Sequence, residues 1–148
     1  MTTFPAVSEM IDLTGKHALV TGGGKGIGAA ISKRLVEAGA SVTIADIDPD
    51  MSEVANELSA TFALCDITVP EQLEAAVRLA SNESNLDILV NNAGIYPPTG
   101  PIAEVSDEFV SKMLDINVRA QFSASREALN CMSSGGSIVN ISSIAAIR

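Results

Sequence analysis

Five short apolar runs alternate with amphipathic segments along this chain, and that alternation narrows the possible folds more than any other feature. The runs read "HALVTG" (17–22), "SVTIAD" (41–46), "TFALCD" (61–66), "LDILVNNAG" (86–94) and "SIVNIS" (137–142). They are nearly continuous in hydrophobicity and rich in β-branched residues, which is typical of strands buried on both faces of a parallel sheet. Strands that alternate with helices predict an α/β fold, in which helices cover both faces of a doubly wound parallel sheet.

The segments between the runs carry helical spacing. In the first segment Ile27, Ile31 and Leu35 fall on one face, and Gly39 follows as a terminating residue. The second predicted helix covers residues 50–59.

Two further helices are predicted from their N-terminal signals. Thr68 and Glu71 have the spacing of a capping box, and Pro70 suits a first helical turn. The last helix covers residues 107–132 and begins with two acidic residues, which are favourable at the positive end of a helix dipole. We assign residues 1–12 to an N-terminal arm and residues 13–148 to a single domain.

The composition is that of a globular protein with an aliphatic core. Apolar residues make up 47% of the 148 residues, charged residues 18% and aromatic residues only 3%. The formal net charge of −9 argues against nucleic acid or an anionic membrane as a partner, because both need a basic patch. No stretch approaches the roughly 20 apolar residues that span a bilayer, and the first residues lack the apolar segment of a signal peptide.

Cys65 and Cys131 are the two cysteines of the chain. Neither their number nor their spacing suggests a disulfide framework or a zinc site, and no metal site is predicted. We therefore expect reduced thiols and a cytoplasmic protein.

The glycine-rich stretch "TGGGKGIG" (21–28) follows the first predicted strand and leads directly into the first helix. Glycines in such a turn let the backbone approach a pyrophosphate without an intervening Cβ. The helix N terminus then presents free N–H groups and a favourable dipole to the phosphate charge. The general dinucleotide-binding fingerprint is met here in the form Gly24-x-Gly26-x-x-Ala29.

Asp46 ends the second predicted strand, 18 positions after Gly28. A carboxylate at this place can accept hydrogen bonds from an adenosine ribose and would repel a 2′-phosphate. A tight turn followed by a helix-capping Asp is the alternative interpretation. The strand before the turn and the helix after it favour the dinucleotide site.

Five motifs in order along the chain resemble those of the short-chain dehydrogenase/reductase family. They are "TGGGKGIG" (21–28), "CDIT" (65–68), "NNAG" (91–94), "DINV" (115–118) and "IVNISS" (138–143). The chain is therefore identified as a member of that family. The resemblance implies a Rossmann-like doubly wound sheet in three α/β/α layers, with strands 1 to 5 of the family's order 3-2-1-4-5-6-7, and a nicotinamide cofactor.

The resemblance also implies which residues hold that cofactor. Gly22, Gly26 and Gly28 match the glycines that cradle the pyrophosphate, and Ile27 is implied to cover the nicotinamide side. Further implied cofactor contacts are Gly24 and Lys25 in the turn, Asp46 and Ile47 at the ribose, Asp66 and Ile67 at the adenine, and Asn92, Ala93 and Gly94 beside the cofactor.

NAD rather than NADP is the predicted cofactor, although one residue conflicts with this choice. Lys25 is a basic residue where NADP-preferring members of the family often carry one. Asp46 outweighs it, because a carboxylate facing a 2′-phosphate is directly repulsive whereas an exposed lysine can simply be solvated. Ala120 and Ala146 stand where the family usually has glycine, and neither change affects the other implied roles.

Two residues match the family's catalytic positions. Asn117 matches the asparagine that supports a bound water in the proton relay. Ser143 matches the catalytic serine, and its neighbour Ser142 is disfavoured because Ser143 directly precedes the "IAA" stretch. The family's mechanism also needs a Tyr-x-x-x-Lys pair on the next helix, and five residues follow Ser143. The single tyrosine, Tyr96, is followed four positions later by Gly100 and is expected to line the substrate cleft or pack on its loop.

The sequence therefore predicts an NAD-dependent oxidoreductase that transfers hydride between nicotinamide and a secondary alcohol or ketone, with this chain as its C-terminally incomplete N-terminal part. The chain alone is expected to transfer hydride poorly, because the hydroxyl proton must leave with the hydride. One alternative is a naturally truncated, non-catalytic dinucleotide-binding module. Another Rossmann-like protein, such as a methyltransferase, is disfavoured by "NNAG" and Asp46.

Two expectations concern assembly. The resemblance implies a homodimer or homotetramer for the full-length form, with the helix at 107–132 contributing to the interface. The fifth strand is expected to form an exposed apolar edge of the sheet, which would favour aggregation.

Overall fold

A computed structural model describes residues 10–82, 85–96, 100–132 and 135–143, which form one parallel sheet between two layers of helices. The strands are β1 (His17–Thr21), β2 (Ser41–Asp46), β3 (Thr61–Leu64), β4 (Ile88–Asn91) and β5 (Ser137–Asn140). The helices are α1 (Gly26–Glu37), α2 (Met51–Glu57), α3 (Pro70–Ser81), α4 (Asp107–Leu114) and α5 (Ala120–Cys131). A 3-10 turn, Ile102–Glu104, precedes α4, and a π-helical turn, Asp115–Arg119, joins α4 to α5.

The strand order β3-β2-β1-β4-β5 confirms the predicted doubly wound sheet. All four neighbouring pairs are parallel, and Val20 at the centre lies between Ile44 of β2 and Val90 of β4. The chain builds outward from β1 to β3 and then crosses back to place β4 on the other side of β1. Ligands of open α/β sheets bind at the carboxyl ends of the strands beside such a reversal.

Alternate residues of each central strand pack into two separate hydrophobic cores, one on each face of the sheet. Ala18 and Val20 of β1 pack with the apolar faces of α1 and α2, whereas Leu19 between them faces α3 and α5. Ala124 and Ala128 of α5 are fully buried in the second core, and small side chains there let α5 lie close to the sheet. Burial on both faces explains why the strand sequences are apolar without alternation.

Four of the five strands end before the predicted apolar runs do. At two of these ends a polar side chain forms hydrogen bonds with the backbone. The run 86–94 contributes only Ile88–Asn91, because the next two N–H groups turn toward the Thr21 hydroxyl. The run 61–66 ends at Leu64, beyond which Asp66 accepts hydrogen bonds from Thr68.

The predicted capping box at the start of α3 is wrong. The N-cap position is Val69, which makes no side-chain capping bond. Thr68 lies one residue before this N-cap, and its hydroxyl donates to Oδ1 of Asp66 at 2.7 Å. Pro70 does occupy the first turn, as its sequence position predicts.

The predicted helix 107–132 is three consecutive pieces rather than one regular helix. Ser106 caps α4 by accepting a hydrogen bond from the Phe109 N–H at 3.2 Å. The π-helical turn widens the spiral over five residues before α5 resumes α-helical geometry. Such turns are frequent at functional sites.

Within the described residues, β5 lies at the edge of the sheet, as predicted, and Val139 is half exposed there. Whether this edge promotes aggregation stays a prediction. The domain boundaries also stay predictions, because residues 1–9 of the predicted arm and residues 144–148, with Ala146, lie outside the described residues.

Asp87 ties the amino ends of β1 and β4 together, at the end of the sheet opposite the glycine-rich turn. Its Oδ2 accepts from the His17 N–H at 2.9 Å, and its Oδ1 accepts from Lys16 Nζ at 3.0 Å. Burial raises the pKa of this carboxyl, but the hydrogen bonds from His17 and Lys16 and the Lys16 charge together lower it below its ordinary value. The ionised form is therefore the one that stabilises the fold.

We expect Asp87→Asn to lower the free energy of unfolding by about 1 kcal/mol at pH 7. A lowered pKa in the folded state contributes stability that is present above the ordinary aspartate pKa and is lost as pH falls through the folded-state value. The difference in free energy of unfolding between the variant and the unmodified chain should therefore become smaller below about pH 4. Urea unfolding at pH 7 and at pH 3 measures this difference. Glu57→Gln, which changes an exposed carboxylate of α2, should show no such pH dependence.

Candidate cofactor-binding site

A cleft of about 960 Å³ opens at the carboxyl ends of the central strands. It brings together most of the residues that the sequence analysis assigned to a cofactor. These are Gly22, Lys25, Ile27, Gly28, Asp46, Ile47, Asp66, Ile67, Asn92, Ala93 and Gly94. They come from four separate stretches of sequence, and only the parallel strand order places them around one cavity.

Two glycines of the turn have no room for a side chain. A Cβ added to Gly28 would lie 2.0 Å from the carbonyl oxygen of Gly22 and 2.6 Å from Nδ2 of Asn92. A Cβ added to Gly22, whose φ is +61°, would lie 2.9 Å from the Cα of Ala93. The turn, the start of α1 and the loop after β4 therefore pack backbone to backbone, which forms the floor of the cleft.

The N terminus of α1 fits an anion. Its N-cap residue, Lys25, makes no side-chain capping bond, and the first turn contains no acidic residue. N–H groups at such a helix end are left without intrahelical partners, and both these groups and the helix dipole favour a phosphate. This geometry fits the pyrophosphate of a dinucleotide.

Thr21 joins the glycine-rich turn to the "NNAG" loop. Its buried hydroxyl accepts hydrogen bonds from the N–H groups of Asn92 and Ala93, each at 3.1 Å, and donates to the carbonyl of Val90 at 3.4 Å. Asn92 reciprocates, because its Nδ2 donates to the carbonyls of Thr21 and Gly22, each at 3.0 Å. Side-chain hydrogen bonds thus fix the glycine-rich turn and the loop after β4 against each other.

Asn117 sits in the π-helical turn and pairs with the backbone of Ile95. Its Oδ1 accepts from the Ile95 N–H and its Nδ2 donates to the Ile95 carbonyl, both at 2.9 Å. The side chain therefore holds the loop after β4 in place beside the cleft. Its role in a proton relay stays a prediction.

Four predicted site residues are absent from the described lining of the cleft: Gly24, Gly26, Asn117 and Ser143. Gly24 is buried behind the turn, and Ser143 is exposed beyond the end of β5. Tyr96 is also exposed and borders a smaller cavity of about 510 Å³ together with Ile95, Phe109 and Lys112. The structure therefore places eleven of the predicted cofactor residues around one cleft, and Ser143 is not among the residues that line it.

Sequence reasoning missed the wall that α4 contributes. The additional lining residues there are Asp107, Glu108, Ser111, Lys112, Asp115 and Ile116. Their spacing of three and four positions is that of one helical face, which is the signal that could have identified them. Five carboxylates and two ammonium groups in all line the cleft, so its charge is predominantly negative.

Cys65 also lines the cleft but is almost fully buried. Burial, and secondarily the neighbouring charge of Asp66, raises the pKa of its thiol to about 11. The thiol is therefore protonated at neutral pH and unsuited to nucleophilic chemistry. Both cysteines are free, as the sequence predicts.

The family follows from comparison with known proteins. The sequence model described as "short chain dehydrogenase" matches residues 16–148. The chain belongs to this family of oxidoreductases, the short-chain dehydrogenases/reductases.

Curated relatives carry several activities in their names. The 3-oxoacyl-[acyl-carrier-protein] reductase FabG of Rickettsia prowazekii is 41% identical over 143 residues, which cover 93% of this chain and 58% of that protein. The L-fucose dehydrogenase of Bos taurus is 39% identical over 134 residues, covering 88% of this chain and 50% of that protein. The chain thus spans between half and three fifths of the length of these relatives.

Solved structures show the same fold. A short-chain dehydrogenase from Burkholderia cenocepacia, solved in complex with NADP, superimposes with a TM-score of 0.85 at 38% identity. The match covers 92% of this chain and 58% of that one.

None of the helices among the described residues combines the length and the apolar character needed to cross a membrane.

Proposed function

We propose that this chain binds a nicotinamide dinucleotide in the cleft and forms part of an oxidoreductase that moves hydride between the cofactor and a secondary alcohol or ketone. The observation that carries the proposal is the glycine-rich turn. Its close backbone packing and the uncapped N terminus of α1 leave N–H groups free for a pyrophosphate. Family membership supplies the type of chemistry.

Within this proposal, NAD is the preferred cofactor. Asp46 lies in the cleft wall at the end of β2, and carboxylates outnumber ammonium groups around the cavity. A 2′-phosphate would add about two negative charges to this environment. Lys25 favours the opposite choice, and the Burkholderia relative was solved with NADP. The preference therefore rests on the charges of this chain.

Titration of the 148-residue chain with NADH and with NADPH tests the proposal, with nicotinamide fluorescence as the readout. We expect saturable binding of both cofactors, with the smaller Kd for NADH. Lys25→Ala should widen the gap by weakening NADPH binding. A folded chain, by circular dichroism, that binds neither cofactor would refute the proposal.

A non-catalytic binding module is the second candidate function, and the position of Tyr96 favours it for the chain by itself. This single tyrosine is exposed in the loop after β4, and Gly100 rather than lysine follows four positions later. The 148 residues therefore contain no tyrosine–lysine pair at that spacing. NADH binding without ketone reduction would support the module, whereas reduction by the 148-residue chain would exclude it.

We further propose that the protein forms a homodimer through α4 and α5. An apolar row with a four-residue spacing runs along the exposed side of this helical unit. It consists of Val110, Leu114, Val118 and Phe122. Phe122 is 76% exposed, and a continuous exposed apolar row of this kind is typical of an interaction surface.

Phe122→Lys is expected to shift the chain from dimer to monomer, because the charged side chain would have to be desolvated in the interface. Sedimentation velocity of the variant and the unmodified chain measures the change. Leu79→Lys, which alters an exposed leucine on α3, should leave the assembly state unchanged. An unmodified chain that is monomeric at high concentration would contradict the proposed dimer.

A further inference from the structure

Asp46 is only 4% exposed, and both of its carboxylate oxygens already accept hydrogen bonds from the backbone. Oδ2 accepts from the Gly24 N–H at 3.1 Å, and Oδ1 accepts from the Asp48 N–H at 3.2 Å. A buried carboxylate needs such partners, since an unpartnered charge in the interior is costly. A contact with a cofactor ribose would not by itself require either bond.

The bond to Gly24 is one of two that hold the glycine-rich turn against β2. The Gly22 N–H donates to the Ala45 carbonyl at 2.7 Å, and Gly24 is held two residues further along. Met51 covers Gly24 from the other side, since a Cβ added there would lie 2.3 Å from the Met51 Cγ. Gly24 is therefore fixed between one side chain that bonds its amide and another that packs on it.

We propose that Asp46 is a positioning residue for the glycine-rich turn. Its carboxylate holds the Gly24 amide and so sets where the free N–H groups of the turn and of α1 meet a pyrophosphate. This inference rests on the proposed binding of a nicotinamide dinucleotide. It implies that one carboxylate both disfavours the 2′-phosphate of NADP and positions the glycine-rich turn. Removing Asp46 to admit a 2′-phosphate would therefore also weaken the binding of the pyrophosphate.

A ligand without ribose hydroxyls separates the two roles of Asp46. The compound 2′,3′-dideoxy-ADP keeps the adenine and the pyrophosphate but offers no hydroxyl for a carboxylate to bind. We compare Asp46→Asn, which keeps one acceptor oxygen, with Asp46→Ala, which keeps none. Because both variants remove the charge, the difference between them isolates the accepted hydrogen bond. The Ala variant is expected to bind 2′,3′-dideoxy-ADP about tenfold more weakly than the Asn variant, by isothermal titration calorimetry.

A second measurement needs no ligand. Exchange of the Gly24 amide hydrogen should be about tenfold faster in the Ala variant than in the Asn variant. If the Ala variant does not fold, the Asn variant decides the question alone. In that variant one of the two carboxylate oxygens becomes an NH2 group, which donates and cannot accept from a backbone amide. Exchange at Gly24 or Asp48 is therefore expected to rise above that of the unmodified chain.

Equal affinity of the two variants for 2′,3′-dideoxy-ADP, with unchanged amide exchange, would overturn the inference. Weakened binding of ordinary ADP alone would then assign Asp46 to the ribose only and leave the proposed function standing. If the unmodified chain binds neither ADP nor NADH, the proposed function fails, and this inference fails with it.

Discussion

Replacing Gly28 with alanine is expected to weaken NADH binding about a hundredfold, or by about 3 kcal/mol. The added Cβ would lie 2.0 Å from the Gly22 carbonyl oxygen, which belongs to the backbone and has no rotamer to change. The start of α1 would have to move away from the turn. The N–H groups that the cofactor needs would then no longer converge on one position. Fluorescence titration with NADH measures the loss.

Gly15→Ala is the matched control for this substitution. Gly15 has a φ of +78° and no atom within 4 Å of an added Cβ. It precedes the amino end of β1, whereas the cleft lies at the carboxyl ends of the strands. The alanine should cost about 1 kcal/mol of stability through backbone strain and leave NADH affinity unchanged. Unaltered NADH binding by the Gly28 variant would show that the close approach of turn and helix is not required.

Thr21→Val is expected to lower the free energy of unfolding by about 2–4 kcal/mol and to weaken NADH binding as well. The two side chains have nearly the same shape, so packing changes little. The hydroxyl, however, accepts from the N–H groups of Asn92 and Ala93, and valine leaves both without that partner. The loop after β4 should then loosen along one wall of the cleft. Urea unfolding and NADH titration measure the two effects.

Two further variants test whether these losses come from the hydrogen bonds of the Thr21 hydroxyl with the loop after β4 or from the removal of any buried hydroxyl. Thr21→Ser keeps the acceptor and should retain most of the stability and affinity. Thr43→Val changes another buried threonine, in the adjacent strand β2, whose hydroxyl makes no side-chain hydrogen bond within the described part of the chain. Its effect should stay below about 1 kcal/mol. Equal losses of stability and NADH affinity in Thr21→Val and Thr43→Val would contradict this role of the Thr21 hydroxyl.

The parallel α/β architecture could be predicted because its signals are local and repeated. Five apolar runs separated by helical patterns admit few other arrangements, and all five strands appear in the structure. The ends of strands and helices were less predictable where a polar side chain had more than one possible hydrogen-bond partner. Thr68 was predicted to cap α3, but the helix begins one residue later than that prediction requires and the Thr68 hydroxyl donates to Asp66 instead.

The candidate site also contains residues that could be predicted from the sequence and residues that could not. The glycines, Asp46 and the "NNAG" loop were recognisable because each occupies a fixed offset from a strand end. The α4 wall was missed although Asp107, Glu108 and Ser111 share one helical face, because that spacing does not show which element the face approaches. That approach depends on the loop after β4, which Asn117 holds through two hydrogen bonds to Ile95.

The sequence by itself determined the order of strands and helices, the glycine-rich turn and membership of the short-chain dehydrogenase/reductase family, because all of these are written in short-range spacing. Only the tertiary structure decided that Asp46 is buried and bonded to Gly24, 22 residues away in the chain, and that α4 completes an acidic cleft. Hydrogen bonds and close contacts between distant segments depend on the packing of the whole sheet. No local pattern of residue types encodes those distances.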